Sequence, residues 1–296
     1  MNYQQFVVTM KEKVESLLDT SISVTIHTTL KNNGRERTGL TISTPQTKIA
    51  PTIYLEEFYQ HYEADSLDEI SELIVSLYQK ANIDHEWNLD NIKDFSVMKS
   101  KIVPRLIHAE KNKTYLQTVP HILYLDFAIT FYILLESSDT DSATIPITNE
   151  LMNIWQTNVH DLHSFAMHNT LFLLPASFLP MKEMVEKLIG PCHNQDFVFG
   201  ESLYVLTNQL GSFGAACILY PDILIQIAGQ LGESYYILPS SIHEVIILPK
   251  SQAPTLRDLN DMVLEINETQ VQFEEVLSDH AYYYDANLQL LFPNTH

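Results

Sequence analysis

The segment LYLDFAITFYILLE (Leu123–Glu136) is the longest apolar stretch of the 296-residue chain, and its interpretation decides the fold. It contains Asp126 and is shorter than the roughly 20 apolar residues that a membrane-spanning helix needs. We therefore predict a buried strand or a pair of strands here, and no membrane segment. A sheet built on this stretch needs further strands and covering helices from the flanking sequence.

From about Val103 onward, short apolar runs alternate with segments of helical periodicity. The predicted strands are VPRLIH, LYLDFAITFYIL, ATIPIT, LYVLTN, AACILY, YYILP, EVIILP and HAYYY. The predicted helices are NELMNIW, VHDLHSFAMHN, SFLPMKEMVEKLI, YPDILIQIAGQL and TLRDLNDMVLEIN. Such a pattern indicates an α+β or α/β fold. Because many strands are apolar on both sides, we predict a mixed sheet covered by helices over residues 103–296.

Two smaller regions precede this sheet domain. Residues 1–48 carry a basic bias and combine a helix from about Tyr3 to Leu18 with two strands that flank Asn33-Gly34, a pair typical of tight hairpin turns. This pattern predicts a small αββ unit. Residues 49–102 form a helical region, predicted as a helical hairpin, in which Ser66 and Glu69 have the spacing of a capping box.

The charge of the chain excludes several classes of partner. The 17 basic and 37 acidic residues give a net charge of −20. Duplex-binding proteins gain their affinity by neutralising phosphates, so we expect no nucleic-acid partner and no anionic membrane surface. Carboxylates crowd the helical region at Glu56, Glu57, Glu63, Asp65, Asp68, Glu69 and Glu72. A solvated face accounts for such a cluster, and a basic protein partner is the alternative.

Compartment and cofactors are predicted mainly from what the sequence lacks. Cys192 and Cys217 are too few for a disulfide framework, and no secretory signal pattern precedes Lys11, so we expect a reduced, cytoplasmic protein. With eight glycines and no nucleotide-loop motif, no cofactor is predicted. His160, His163 and His168 cannot reach one ion from a single helix, so no metal site is predicted either.

The polar segment SSIHE (Ser240–Glu244), which lies between two apolar runs, is the strongest catalytic candidate. Ser240, Ser241, His243 and Glu244 could supply a hydroxyl, a base and a carboxylate, and Cys217 could supply a thiolate with His243 as its base. The competing interpretations are a turn between two strands, because Ser241-x-x-Glu244 is also a capping-box spacing, and a buried cysteine that acts as a small hydrophobe.

Two weaker candidates could belong to a ligand site. Asn208 lies in the loop LTNQLGSFGA, whose glycines permit close backbone approach. Asp279-His280 resembles an acid–base dyad, although adjacent residues on a strand face opposite sides. A strand-to-strand turn and an aromatic sheet lining are the simpler explanations of the two segments.

Several long segments carry a family resemblance. PTIYLEEFYQHYE, LYVLTNQLGSFGAACILYP, YYILPSSIHEVIILP and NETQVQFEEVLSDHAYYYD are similar, in this order, to a family of uncharacterised bacterial proteins known only as a domain of unknown function. The similarity runs from about residue 50 to about residue 290. It implies a bacterial cytosolic protein, and it implies no activity, cofactor or catalytic residue.

Three functions remain open at this point. We favour a non-enzymatic interaction or regulatory protein, because no motif survives geometric scrutiny while the charge distribution is uneven. The first alternative is a hydrolase or thiol-dependent transferase that uses Cys217, or Ser241 with His243. The second is a small-ligand sensor whose pocket combines the aromatic C-terminal strand with the Ser240-Ser241 turn. The oligomeric state is not predicted.

Overall fold

The structure is a computed structural model that describes residues 1–44, 52–62, 66–84, 91–137, 142–189, 203–239 and 241–293. The chain divides into two compact units, Met1–Asn91 and Ile92–His296. Within the described residues, every strand pair is antiparallel, and the helices are elements separate from the sheets. The α+β class is therefore confirmed.

The first unit combines three helices with a three-stranded sheet. Its elements are α1 (Tyr3–Leu17), β1 (Ser23–Leu30), β2 (Glu36–Ser43), β3 (Thr52–Tyr54), α2 (Glu56–His61) and α3 (Leu67–Asp84). Asn33 and Gly34 take positive φ angles of 60° and 73°, which produces the turn predicted between β1 and β2. The region predicted as a helical hairpin also contains β3, and its first helix starts at Glu56.

One hydrophobic core holds this unit together. Its buried members are Phe6, Val7, Met10, Val14, Val24, Leu40, Ile42, Leu55, Ile70, Ile74 and Tyr78. These side chains come from α1, the sheet and α3, so the αββ segment and the helical region share a core. The predicted capping box starts α3: Ser66 N donates to Glu69 Oε2, and Glu69 N donates to Ser66 Oγ, both at 3.1 Å.

The second unit contains two sheets. Its strands are β4 (Ile102–His108), β5 (His121–Tyr124), β6 (Phe127–Ser137), β7 (Ser142–Pro146), β8 (Ala176–Pro180), β9 (Tyr204–Asn208), β10 (Tyr235–Leu238), β11 (Val245–Pro249), β12 (Tyr282–Asp285) and β13 (Leu290–Pro293). β5 and β7 pair with one edge of β6 and β4 pairs with the other, while the second sheet has the order β13-β12-β10-β11-β9-β8. These two antiparallel sheets replace the single mixed sheet expected from sequence.

Helices of two kinds surround these sheets. The α-helices are α4 (Phe95–Met98), α5 (Lys113–Leu116), α6 (Asn149–Ile154), α7 (Val159–Leu173), α8 (Met181–Ile189), α9 (Ile223–Leu231) and α10 (Leu256–Thr269). Shorter 3-10 helices span Lys99–Lys101, Glu110–Asn112, Gly214–Leu219 and Lys250–Gln252. Among the described residues, no helix combines the length and the apolar composition that crossing a membrane requires.

The apolar segment Leu123–Glu136 forms the central hairpin of the four-stranded sheet. β5 and β6 turn at Leu125 and Asp126, where Leu125 has a φ of 55°. Inward-facing residues of β6, Phe127, Ile129, Phe131 and Ile133, share one buried cluster with Tyr235, Ile237, Val245, Ile247, Tyr282 and Tyr284 of the other sheet. The two sheets are therefore joined through a common core, as the alternation of side chains along β6 allows.

Two predicted elements of the second unit differ in the structure. AACILY, predicted as a strand, lies mostly within the 3-10 helix Gly214–Leu219, and SFLP, predicted as the start of a helix, belongs to β8. Short apolar runs do not distinguish a strand from a buried helical turn by periodicity, which explains both errors.

Candidate functional site

The Ser241–Glu244 turn precedes β11 and contains the predicted catalytic hydroxyl. Ser241 is buried and forms an isolated antiparallel bridge with Val276. Its Oγ accepts a hydrogen bond from His243 N at 2.9 Å. Burial raises the pKa of Glu244. Ser241 and Glu244 therefore lie in a turn between two strands, the simpler of the two sequence interpretations, and Ser240 lies outside the described residues.

The imidazole of His243 is held at both nitrogens. Nδ1 accepts a hydrogen bond from Phe213 N at 3.3 Å, and Nε2 lies 3.6 Å from Glu275 Oε1. The Phe213 ring stacks on the imidazole with 5.5 Å between ring centroids. Burial, and secondarily the charge of Arg105, lowers the pKa of His243 to about 4. The ring is neutral near pH 7, its proton is on Nε2, and its Nδ1 lone pair is occupied.

Cys217 lies inside the core on the 3-10 helix Gly214–Leu219 and is fully buried. Its thiol donates to the carbonyl of Thr207 at 3.1 Å, and burial raises its pKa to about 12. A nucleophilic cysteine needs a lowered pKa and access to substrate. No side-chain hydrogen bond links Cys217 with His243 or Ser241 in the described part of the chain, so the three residues do not form a catalytic set in this conformation.

The loop after β9 is closed by Asn208. The Asn208 side-chain Nδ2 donates to Ser212 O at 2.8 Å, while its Oδ1 accepts from Leu210 N at 3.0 Å. Gly214 follows at a point where a Cβ would lie 2.5 Å from His243 O and 2.7 Å from Asn208 N. Because only glycine fits there, this loop is packed against the Ser241–Glu244 turn, and the Asn208 amide is used within the loop.

Arg105, on β4, lies beside this region. Its guanidinium carbon is 4.3 Å from the centroid of the Phe213 ring, and Nη1 donates to Tyr132 Oη at 3.0 Å. Its Nε is buried without a hydrogen-bond partner. No carboxylate pairs with Arg105 among the described residues, and the adjoining space admits about one water molecule (~10 Å³). The aromatic contacts therefore account for most of its stabilisation.

The predicted Asp279-His280 dyad separates into two interactions. Asp279 Oδ2 pairs with Lys111 Nζ at 2.6 Å, and its Oδ1 accepts from Asn267 Nδ2 at 3.1 Å. His280 instead faces Asp126, with 3.8 Å between Nε2 and Oδ2. Asp279 and His280 lie in a bend before β12, and their side chains contact different partners.

Asp126 is the centre of a polar cluster that the sequence did not reveal. His108 Nε2 lies 3.9 Å from Asp126 Oδ2, on the same oxygen that His280 faces, and the Tyr282 hydroxyl donates to Oδ1. Lys111 N donates to His108 Nδ1 at 3.3 Å, so the neutral ring carries its proton on Nε2 and offers no lone pair there for a metal.

Across the described residues, no group of three or more histidine, cysteine, aspartate and glutamate side chains is placed to hold an ion. Burial also lowers the pKa of His108. We therefore interpret the Asp126 cluster as a polar contact between the β5–β6 turn, the end of β4 and the start of β12.

A solvent-facing groove of about 420 Å³ lies between α2 and α3 of the first unit. The residues that line it are Glu57, Phe58, His61, Glu69, Ile70 and Leu73. Three of these side chains are apolar, two are carboxylates, and none of them is lysine or arginine. The volume is within the range of ligand-binding clefts. The sequence indicated the carboxylates but not the apolar floor.

The charges at the groove are only partly neutralised. Glu57 pairs with Nη2 of Arg37, and Nε of the same arginine lies 3.3 Å from Oε2 of Glu56. Glu69 caps the start of α3, and no ion pair neutralises Glu69 or the exposed Glu72 in the described part of the chain. Leu73 is 51% exposed, which is high for a leucine next to a hydrophobic core. The groove therefore combines exposed apolar surface with negative charge.

Comparison with known proteins gives a family but no activity. Residues 3–286 match the model of a family described as a family of unknown function, DUF5688, so the chain belongs to that family. The resemblance stated from sequence is confirmed, and the match also includes the N-terminal αββ segment. No curated protein and no solved structure matches the chain.

Proposed function

We propose that this member of the DUF5688 family is a non-enzymatic interaction protein that binds a basic, amphipathic segment of a partner protein. The groove between α2 and α3 carries the proposal, because exposed apolar surface at Leu73 lies there beside Glu69, which has no basic partner among the described residues. Covering Leu73 and the partly buried Phe58 with a partner removes apolar surface from water, at about 25 cal/mol per Å². Opposite charges on the partner set its orientation and speed its association.

The net charge of the whole chain supports the same class of partner. At −20, the protein attracts cations and repels polyanions, which favours a basic protein over nucleic acid or an anionic lipid surface. Arg37, which pairs with Glu57 at the rim, places a positive charge there and weakens the local attraction of cations. Glu69, on the α3 side of the groove, is therefore the better contact for basic residues, and the exposed Glu72 lies next to it on the outer side of α3.

The enzymatic alternative has less support. A hydrolase or thiol-dependent transferase would need His243 as a base, yet its Nδ1 lone pair accepts the Phe213 amide. It would also need a reactive hydroxyl or thiol, whereas Ser241 is buried with its Oγ accepting the His243 amide, and Cys217 is buried with a raised pKa. Our proposal therefore assigns these residues to the folding of the second unit.

The small-ligand sensor is likewise less well supported. That hypothesis placed a pocket at the aromatic C-terminal strand, and the β12 residues Tyr282 and Tyr284 are buried in the core that joins the two sheets. A bacterial origin and a reduced cytosolic setting remain predictions of the sequence. They are compatible with the free thiol of Cys217.

The proposal is tested by comparative co-purification from a native lysate. Leu73→Asp places a charge on the groove floor, and Val8→Asp, at a position of similar exposure on α1, is the matched control. We expect at least one protein that wild type and Val8→Asp retain and that Leu73→Asp loses. If every captured protein is retained equally by all three chains, the groove is not the binding site and the proposal is wrong.

A further inference from the structure

The exposed leucines of α3 form a stripe along the helix. At 100° per residue, Leu73 and Leu77 lie between the core-facing side of Ile70 and Ile74 and the side of Glu69. Leu73 is 51% exposed and Leu77 is 38% exposed. The stripe therefore extends the apolar floor of the groove along α3, with carboxylates on the side away from the core.

The spacing of the stripe suits a helical partner. Leu73 and Leu77 are four residues apart, about 6 Å along the axis. Apolar side chains at three- and four-residue intervals on a second helix interdigitate with such a row. Glu69 lies beside the row and Glu72 lies farther round the helix on the same side, where a partner helix would present lysine or arginine beside its own apolar stripe.

Backbone hydrogen bonding disfavours an extended partner. A strand gains affinity by pairing with an open sheet edge. In the middle of α2 and α3, the main-chain groups are bonded within the helices and offer no such edge. An extended peptide on the apolar floor would therefore bury amides without partners, at a cost of about 1–3 kcal/mol for each one. A helix satisfies its own backbone.

From this geometry we infer that the partner segment is a basic amphipathic helix that packs along α3 on Leu73 and Leu77. The inference rests on the proposed function and deepens it, because it specifies the secondary structure and the contact row of the partner. Its apolar stripe covers Leu73 and Leu77, and its basic residues lie beside Glu69 and Glu72.

The test uses the full chain and four synthetic peptides of about 18 residues, long enough for a helix to form on binding. The first is lysine-rich with leucines on one helical face. The second has the same composition with the leucines scattered, the third has a proline at the centre of the first sequence, and the fourth has glutamate in place of lysine. Affinities are measured by fluorescence anisotropy at about 0.15 M salt, where long-range attraction is screened.

We expect the first peptide to bind wild type and Val8→Asp with equal affinity and to gain helical circular dichroism on binding. Its affinity for Leu73→Asp should be lower by a factor of about ten or more. The peptides with scattered leucines, with a central proline and with glutamate in place of lysine should each bind wild type with an affinity lower than that of the first peptide by a similar factor. The helical inference alone is overturned if the proline peptide binds as tightly as the first while Leu73→Asp still weakens both. If Leu73→Asp weakens no peptide, the groove and the inference fail together.

Discussion

The backbone N–H of Phe213 donates a hydrogen bond to Nδ1 of His243, with 3.3 Å between the two nitrogens. This bond joins the loop after β9 to the turn before β11. Phe213 can make it because its φ is 55°, in the left-handed region that few phenylalanines adopt. The contact fixes the tautomer of His243 and occupies the ring nitrogen that a general base would use to accept a proton.

The first prediction is that His243 makes stability fall with acidification. Its pKa is about 4 in the folded protein against an ordinary 6.5, so the unfolded chain takes up the proton first. The contribution of His243 is complete above about pH 6.5 and is lost as the pH falls toward 4. The pKa difference of about 2.5 corresponds to about 3 kcal/mol.

This pH dependence is measured by urea unfolding of wild type and His243→Asn, whose side-chain oxygen can still accept from the Phe213 amide. Between pH 7 and pH 4, wild type should lose about 3 kcal/mol more than the variant. Burial also lowers the pKa of His108 and His163, and both remain in the variant, so the difference isolates His243. Parallel curves for the two proteins would show that His243 titrates normally.

The second prediction concerns the reactivity of Cys217. Because its pKa is raised to about 12 and its side chain is fully buried, little thiolate exists near pH 8 and reagents cannot reach it. Alkylation followed by site-resolved mass spectrometry should show Cys217 modified far more slowly than free cysteine until denaturant is added. Modification of the native protein at the rate of free cysteine would restore the thiol-enzyme hypothesis.

The third prediction tests the close packing at Gly214. In Gly214→Ala, the new Cβ would meet His243 O at 2.5 Å and Asn208 N at 2.7 Å, so the loop must move, at a cost of about 2 kcal/mol or more. Gly229→Ala in α9 is the control, since no atom lies within 4 Å of its Cβ position. It should stabilise the protein by about 0.5–1 kcal/mol. Equal unfolding free energies for the two variants would contradict the described loop.

The fourth prediction concerns the Asp126 cluster. The Asp126 carboxylate raises the pKa of His108, although burial, the larger effect, lowers it. In Asp126→Asn this opposing effect is lost, and the pKa of His108 should fall further. NMR titration of the imidazole measures the change, and Asp261→Asn on the exposed side of α10 is the control. An unchanged titration of His108 would mean that the two side chains are not neighbours in solution.

Local patterns predicted much of the fold. The capping box at Ser66 and Glu69 and the hairpin turn at Asn33-Gly34 depend on residues close in sequence, and the structure contains both. The 3-10 helix at AACILY was missed because its conformation depends on contacts of Gly214 with Thr207 and with the distant His243. An apolar run alone carries no information about such contacts.

The polar clusters depend even more on contacts between residues far apart in the sequence, which local patterns do not predict. Asp126 and Tyr282 are 156 positions apart, and no spacing rule connects them with His108. The carboxylates of α2 and α3 were visible in the sequence and were interpreted first as a solvated face. The apolar floor beneath them depends on how α2 and α3 pack, because helical periodicity marks Leu73 as core-facing while the structure leaves half of it exposed.

The most direct measurement of the central claim is residue-resolved NMR mapping of the full chain during titration with the lysine-rich amphipathic peptide. The account predicts that the largest amide shift changes occur in α2 and α3, around Phe58, Leu73 and Leu77, and that Glu72→Lys diminishes them while Val8→Asp does not. Shift changes confined to the second unit, or unaffected by Glu72→Lys, would contradict a basic partner in the α2–α3 groove.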